Sequence, residues 1–261
     1  YVKEGYRASH PGNNYHAGYV AAYTLMAIAQ GGEAGPDGAR LWEKVVDQIF
    51  GEQLLPAARD GVLAGGDWGE GWQYAPLSVA EYALAARAVA AQGVDVAPMG
   101  QWLEDLFLRH VYAMTPTGER TLVVGDTQSH VPHIHVNRLT LEAVLVGPAP
   151  PQAQRWARAE IERIGDFESD DLKYVLYTAL AEANPAPAEP FPRDRMGTAY
   201  FASGTSILYA RSGWDKGAIW FAAFCSPTID VDHLPPNAGN FVLSRGRDHA
   251  IVDPSPYGSL S

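Results

Sequence analysis

Four stretches of this sequence gather the side chains that acid–base, anion-binding or metal chemistry needs. The first is His10-Pro-Gly-Asn-Asn-Tyr-His16, set just ahead of a helical apolar spacing. Asparagine is a strong helix cap, so Asn13 or Asn14 can simply start that helix. A side-chain amide beside Tyr15 and His16 also suits an anion, because the dipole at a helix N-terminus favours negative charge. The second is Gly65-Gly-Asp-Trp-Gly-Glu-Gly-Trp-Gln-Tyr74. Its glycine-rich backbone suits a sugar-binding loop, with Trp68 and Trp72 stacking on pyranose rings and Asp67 and Glu70 accepting from hydroxyls. The same residues suit a turn that packs its indoles into the core. The third, Gly125 to His135, holds His130, His133 and His135. Imidazoles at spacings of three and two are metal-ligand types, yet no acidic or cysteine ligand joins them at helical spacing, which favours a polar cleft wall or ordinary loop histidines. The fourth, Asp230 to Phe241, is an acidic loop carrying His233.

Elements to position these groups follow from the apolar periodicity. From Tyr15 to about Ala183 the spacing is helical, with Gly and Pro at the breaks. Leu41, Trp42, Val45, Val46, Ile49 and Phe50 form one stripe, and similar stripes run over 77–89, 102–111, 139–146, 156–164 and 172–180. Ser169 or Asp170 can cap the last of them. About seven helices joined by short loops predict antiparallel neighbours. Residues 184–192 hold four prolines in nine positions, which forbids a helix and predicts an extended linker. Beyond it the period shortens toward two, predicting strands over 206–211, 218–224, 240–244 and 250–252, with a turn at Gly213-Trp-Asp-Lys-Gly217. The expected organisation is a helical domain over 1–183, a linker over 184–197 and the first strands of a sheet domain over 198–261.

Composition bounds the function. The chain has 261 residues, 47% of them apolar and 19% charged, with 19 Lys+Arg against 30 Asp+Glu for a formal charge of −11. These values exclude a disordered tail and a nucleic-acid binder working through bulk positive charge. No apolar run approaches the roughly 18 residues needed to cross a bilayer. The single Cys225 excludes internal disulfides and a cysteine-rich zinc site. Position 1 is Tyr, and the last residues, 253–261, follow directly on a strand pattern. A sheet ending there would leave an edge that proteins normally pair or cover, so a further segment, covalent or nicked, is expected to complete it.

Taken in order, these clusters resemble the heparinase II/III-like and oligoalginate lyase families, polysaccharide lyases that join an incomplete α/α toroid to an antiparallel β-sandwich. Asn13-Asn14 resembles the family's paired-Asn element at a helix start. Gly69-Glu-Gly-Trp-Gln-Tyr74 resembles its Glu-Gly-x-x-Tyr element, sixty positions after Asn14. Tyr209 to Trp214 with Trp220-Phe221 resembles the strand pair that opens the sandwich, His233 to Phe241 its His-x-His-x-Asp-x-Gly-x-Phe loop, and Gly246 to Asp253 the strand after it. There are three departures. Tyr15 follows the paired Asn where many relatives have His, with His16 one residue later. Pro235 and Asn237 replace the loop's second His and its Asp. The family's sandwich also runs past the position matching Ser261, which implies a C-terminal segment of the same precursor as a second chain.

The resemblance implies cleavage of a uronic-acid-containing glycan by β-elimination: the C5 proton is removed and the glycosidic oxygen leaves C4. The uronate carboxylate must be neutralised first, which an amide at a helix N-terminus can do. A tyrosine can take the proton if nearby positive charge lowers its pKa from about 10. The expected catalytic set is Asn14 as neutraliser, Tyr74 as base and acid, and His233 or His133 as the assisting imidazole. Asn13, Tyr15, His16, Trp68, Glu70, Trp72, His130, Arg138 and Tyr200 are the expected substrate-binding residues. Arg138, Arg193, Arg195 and Arg211 are available for a local cationic patch, which at a Debye length of about 8 Å can outvote the global charge. No cofactor is expected. The family's sandwich loop often holds a structural zinc ion, for which His233 and Asp253 are the matched positions. The implied location is periplasmic or secreted, with no nucleic-acid or membrane partner. Two other readings stay open: a glycoside hydrolase using Asp67 and Glu70 as paired carboxylates, and a carbohydrate-binding protein without catalysis.

Overall fold

A computed structural model of the chain describes residues 5–122, 137–165, 172–226, 233 and 238–252. The described helical part comprises α1 (Asn14–Gln30), α2 (Gly35–Glu43), α3 (Leu55–Arg59), α4 (Ala75–Ala90), α5 (Ala97–Ala113), α6 (Arg138–Val146), α7 (Pro151–Ile164) and α8 (Leu172–Glu182). Asn13 starts α1 from an extended backbone, its side chain accepting from the Tyr15 N–H at 3.0 Å. Prolines open α3, α4, α5 and α7 in the first turn, where the missing N–H costs nothing. α4 packs between α1 and α6, and α5, α7 and α8 all pack on α6.

One predicted helix is wound differently. The stripe from Leu41 to Phe50 predicts a single α-helix, but from Lys44 to Leu54 the chain takes the wider π-helical winding between α2 and α3. Val45, Ile49, Phe50 and Leu54 still reach the core. Pro56 follows, and without an N–H it cannot donate to a carbonyl four residues back. The winding brings Gln53 against His16, where its carboxamide oxygen lies 3.1 Å from Nε2. π turns recur where a helix must aim a side chain.

The sheet part is an antiparallel meander in spatial order β1 (Ala199–Ala202), β2 (Ile207–Arg211), β3 (Ile219–Phe224), β4 (Phe241–Arg245) and β5 (Asp248–Ile251). The predicted strands are all present, and β1 is additional. The β2–β3 turn is pinned by Asp215, whose carboxylate accepts from the Gly217 N–H at 2.9 Å. Ala202, Ile207, Tyr209, Trp220, Ala222, Phe224 and Val242 share the inner face and pack with Tyr112, Ala113 and Leu122. Phe201 and Phe241, on the other face, are exposed. The two parts are bonded together: the Trp220 indole donates to the Tyr112 carbonyl at 2.8 Å, and the Gly204 N–H to the Ala64 carbonyl at 2.8 Å. The proline-rich stretch is tied down by Phe191, 3% exposed, against Phe107, Trp156 and Trp214.

Candidate active site at the starts of helices α1 and α4

The Asp67–Tyr74 loop is the hub, and it is built inside out relative to a sugar-binding loop. Trp68 and Trp72 are 1% and 2% exposed, so neither offers a face to a pyranose. Asp67 is equally buried. It pairs with Arg109 at 2.9 Å and accepts from the Trp68 N–H, the Trp72 indole, the Thr205 hydroxyl and the Tyr209 hydroxyl at 3.0 to 3.1 Å. The Arg109 guanidinium lies 3.6 Å from the Trp72 ring centre. Glu70, 1% exposed, accepts from Asn13 Nδ2 at 2.6 Å, the Asn14 N–H at 2.7 Å and the Trp68 indole at 3.2 Å. Two carboxylates expected at a surface are therefore struts. Asp67 joins α5 and the sheet to the loop, and Glu70 joins the loop to the start of α1. Buried and committed to these donors, they cannot form the solvated acid/base pair of a hydrolase.

Glu70 sorts the paired asparagines. Asn13 spends its oxygen on the cap and its amide NH2 on Glu70, and is buried. Asn14 is half-buried, and its oxygen accepts from the Tyr15 N–H at 3.0 Å, while its Nδ2 bonds no described residue. Tyr15 is 55% exposed, with its ring edge-on to Tyr6. His16 is not at a surface. Its Nδ1 meets the Tyr82 hydroxyl at 2.6 Å and its Nε2 meets Gln53, while the Gly12 N–H bonds the same hydroxyl. Burial pushes His16 down to about 4, the Gln53 bond opposing, so the ring is neutral and works as a structural relay. Tyr82 and Gln53 carried no signal in the sequence, because a tyrosine inside a buried helix face reads as core.

Tyr74 occupies the position preceding α4 and is half-buried. His233, from the loop between β3 and β4, stacks on it with ring centres 4.4 Å apart and planes 27° from parallel. His233 holds a left-handed backbone, φ 63°, a conformation that costs a non-glycine residue of order 1–3 kcal/mol and clusters at functional sites. Tyr200 corrects an expectation: its hydroxyl donates to the Gly65 and Asp105 carbonyls at 3.0 and 3.3 Å, and burial raises its pKa strongly. Three of the four arginines are likewise spent internally. Arg138 pairs with Glu142 at 3.0 Å, Arg193 with Glu160, and Arg211 donates to the Met114 carbonyl at 2.6 Å while covering Trp214. His130, His133 and Asp253 lie outside the described residues. For the implied zinc ion, no group of three His, Cys, Asp or Glu among the described residues could hold a metal. His233 stacks on Tyr74, and the sequence has Pro235 where the resemblance implies a second donor, so the described residues offer no ligand set for that ion and no step below passes through it.

No known family profile matches the sequence, and no curated protein matches it. Solved structures do. A heparinase III superposes with TM-score 0.58 at 12% identity, over 92% of this chain and 34% of that one. The fold is heparinase-like. A second heparinase III, with methylated lysines, gives TM-score 0.55 at 12% identity over 97% of this chain and 34% of its own. The heparan sulfate lyase HepC from Pedobacter heparinus gives 0.50 at 14% over 91% and 32%. The chain spans about a third of the length of these structures. An α/α-toroid-like helical part followed by antiparallel strands is thus the architecture shared with them.

Proposed function

We propose that the chain carries the helical part and the opening strands of a polysaccharide lyase that cleaves a uronic-acid-containing glycan by β-elimination. The observation that carries this reading is the stacking of His233, from the sheet, on Tyr74, from the helical part. Glu70, which binds the start of α1 four residues before Tyr74, supports placing the Asn14 amide in the same site. In the proposed step Asn14 Nδ2 holds the uronate carboxylate, withdrawing charge from C5. The Tyr74 oxygen, as phenolate, takes the C5 proton. The electrons of that C–H bond form the C4–C5 double bond, and the C4–O bond breaks toward the glycosidic oxygen. Tyr74 returns the proton to that oxygen. His233, stacked on the Tyr74 ring, is the proposed assisting imidazole; His133 is the second candidate for this role. Tyr15, Tyr74 and His130 are the proposed sugar contacts.

Tyr74→Phe tests the proposal. Elimination, followed by ultraviolet absorbance of the unsaturated uronate, is expected to fall by about 10²–10⁴ with unchanged folding. Retained product formation would overturn the mechanism. Glycan binding by the unaltered chain without cleavage, over a panel of acidic polysaccharides, would favour the binding-protein reading instead. The proposed location is periplasmic or extracellular, where such polymers are degraded. No described helix is long and apolar enough to cross a membrane. The sheet face carrying Phe201 and Phe241 is proposed to be covered by a C-terminal segment of the same precursor, as the second layer of a sandwich.

A further inference from the structure

A cavity of about 200 Å3 opens where the loop after α5 meets the β4–β5 turn, lined by Thr115, Thr117, Glu119, Arg120, Arg247 and His249. Both walls are braced. On one side Met114 bridges Thr121, Pro116 enters a turn closed by the Gly118 N–H to the Thr115 carbonyl at 2.9 Å, and Arg163 and Arg211 hold carbonyls of the same loop. On the other the Gly246 N–H donates to the Ala218 carbonyl at 3.1 Å. Arg247 crosses the mouth to Glu119 at 3.0 Å, an exposed pair that exchanges readily with solvent or ligand. His249 Nδ1 meets the Ser244 hydroxyl at 2.8 Å, so Nε2 is the free end of the ring among the described residues. Arg120 bonds no described side chain, and its charge, after burial, holds the His249 pKa down. Two guanidiniums, an imidazole and a threonine hydroxyl line the cavity around a single carboxylate, Glu119, while Asp248, next to His249 in the chain, opposes Arg120 in its effect on the ring.

We infer that this cavity is a second anion subsite, holding an oxyanion group, sulfate ester or carboxylate, of an acidic glycan. Guanidinium forks suit such oxygens, two donors at a time. The cavity lies at the Arg245 end of β4, whereas the loop bearing His233 enters at Phe241, about 13 Å away at the usual strand rise. The group bound here therefore belongs to a different sugar from the one undergoing elimination, and it selects for chain length and charge pattern. The glycan as ligand rests on the lyase reading above; the cationic cavity does not.

The test follows the His249 imidazole by NMR in the Tyr74→Phe chain, which keeps a substrate uncleaved. Inorganic sulfate, an unsulfated uronate hexasaccharide and a sulfated hexasaccharide are added in turn. One or both oligosaccharides are expected to shift His249 saturably and to raise its pKa, since a bound anion favours imidazolium. The response identifies which group the cavity takes. The double variant R120A/R247A, both positions exposed, is expected to weaken that binding roughly tenfold while leaving the fold intact. No saturable shift with either oligosaccharide, or unchanged affinity in the double variant, overturns the proposal. A response to inorganic sulfate alone makes this a free-ion site and overturns the glycan assignment. If the unaltered chain makes no unsaturated product but His249 still reports Arg120-dependent glycan binding, the lyase reading fails and the subsite stands.

Discussion

Asn13 and Asn14 differ by one position and by what their amides can reach. Asn13 is closed into the cap and Glu70, so Asn13→Ala is a stability change: about 1 kcal/mol for the cap, and more because Glu70 loses a buried donor. Asn14→Ala leaves both bonds in place. Under the proposed mechanism its expected effect is on turnover, a fall of about 10²–10³ in kcat with little change in melting temperature, because the donor to the uronate carboxylate would be lost. Steady-state kinetics beside thermal melts on the two variants separates the roles. Equal melting losses would mean that Asn14 is also structural. Asp67 gives the opposite pattern. Asp67→Ala strands the buried Arg109 charge and is expected to cost about 3–5 kcal/mol in denaturant unfolding. A variant that unfolds like the parent but loses activity would return Asp67 to the chemistry.

Elements meet most tightly at the Gly65–Gly66 doublet, where the loop presses on both α5 and β1. Gly66 has φ 69°, and a Cβ there would lie 2.2 Å from the Leu106 backbone nitrogen. A side chain is excluded by the backbone of a helix, which cannot step aside as a flexible side chain can. Gly66→Ala is expected to combine about 1–2 kcal/mol of left-handed strain with about 1–3 kcal/mol of overpacking, seen as a lowered denaturation midpoint. An unchanged midpoint would mean that the loop and α5 are not in register. These contacts explain Gly65 and Gly66, which the sequence offered equally as part of a sugar-binding loop.

Across the whole molecule, acid should loosen the fold before it protonates most carboxylates. His16 is held near 4 and His110, fully buried with no hydrogen-bond partner for either ring nitrogen among the described residues, is pushed to about 3. Both values are lowered from 6.5, so below 6.5 the unfolded chain takes up protons that the folded chain refuses. Stability is complete above 6.5 and is lost as pH falls toward 4, His16 alone accounting for up to roughly 3 kcal/mol. Denaturant midpoints measured from pH 7.5 to 4.5 should fall steadily. A flat profile would show that neither ring is held neutral.

Periodicity alone was enough for the helical run, the proline break and the strands that follow, because helices and strands express burial at fixed spacings and prolines forbid them. It pointed to an asparagine cap as well, but whether Asn13 or Asn14 supplied it was decided only by the bonds of the fold. Whether Trp68, Trp72, Asp67 and Glu70 faced sugar or core was undecidable from the chain. Both readings use the same residue types, and the deciding partners, Arg109, Thr205 and Tyr209, lie far along it. The contact between Tyr74 and His233 likewise depends on how the sheet docks on the helices, a fact set by packing between distant segments rather than by any local preference.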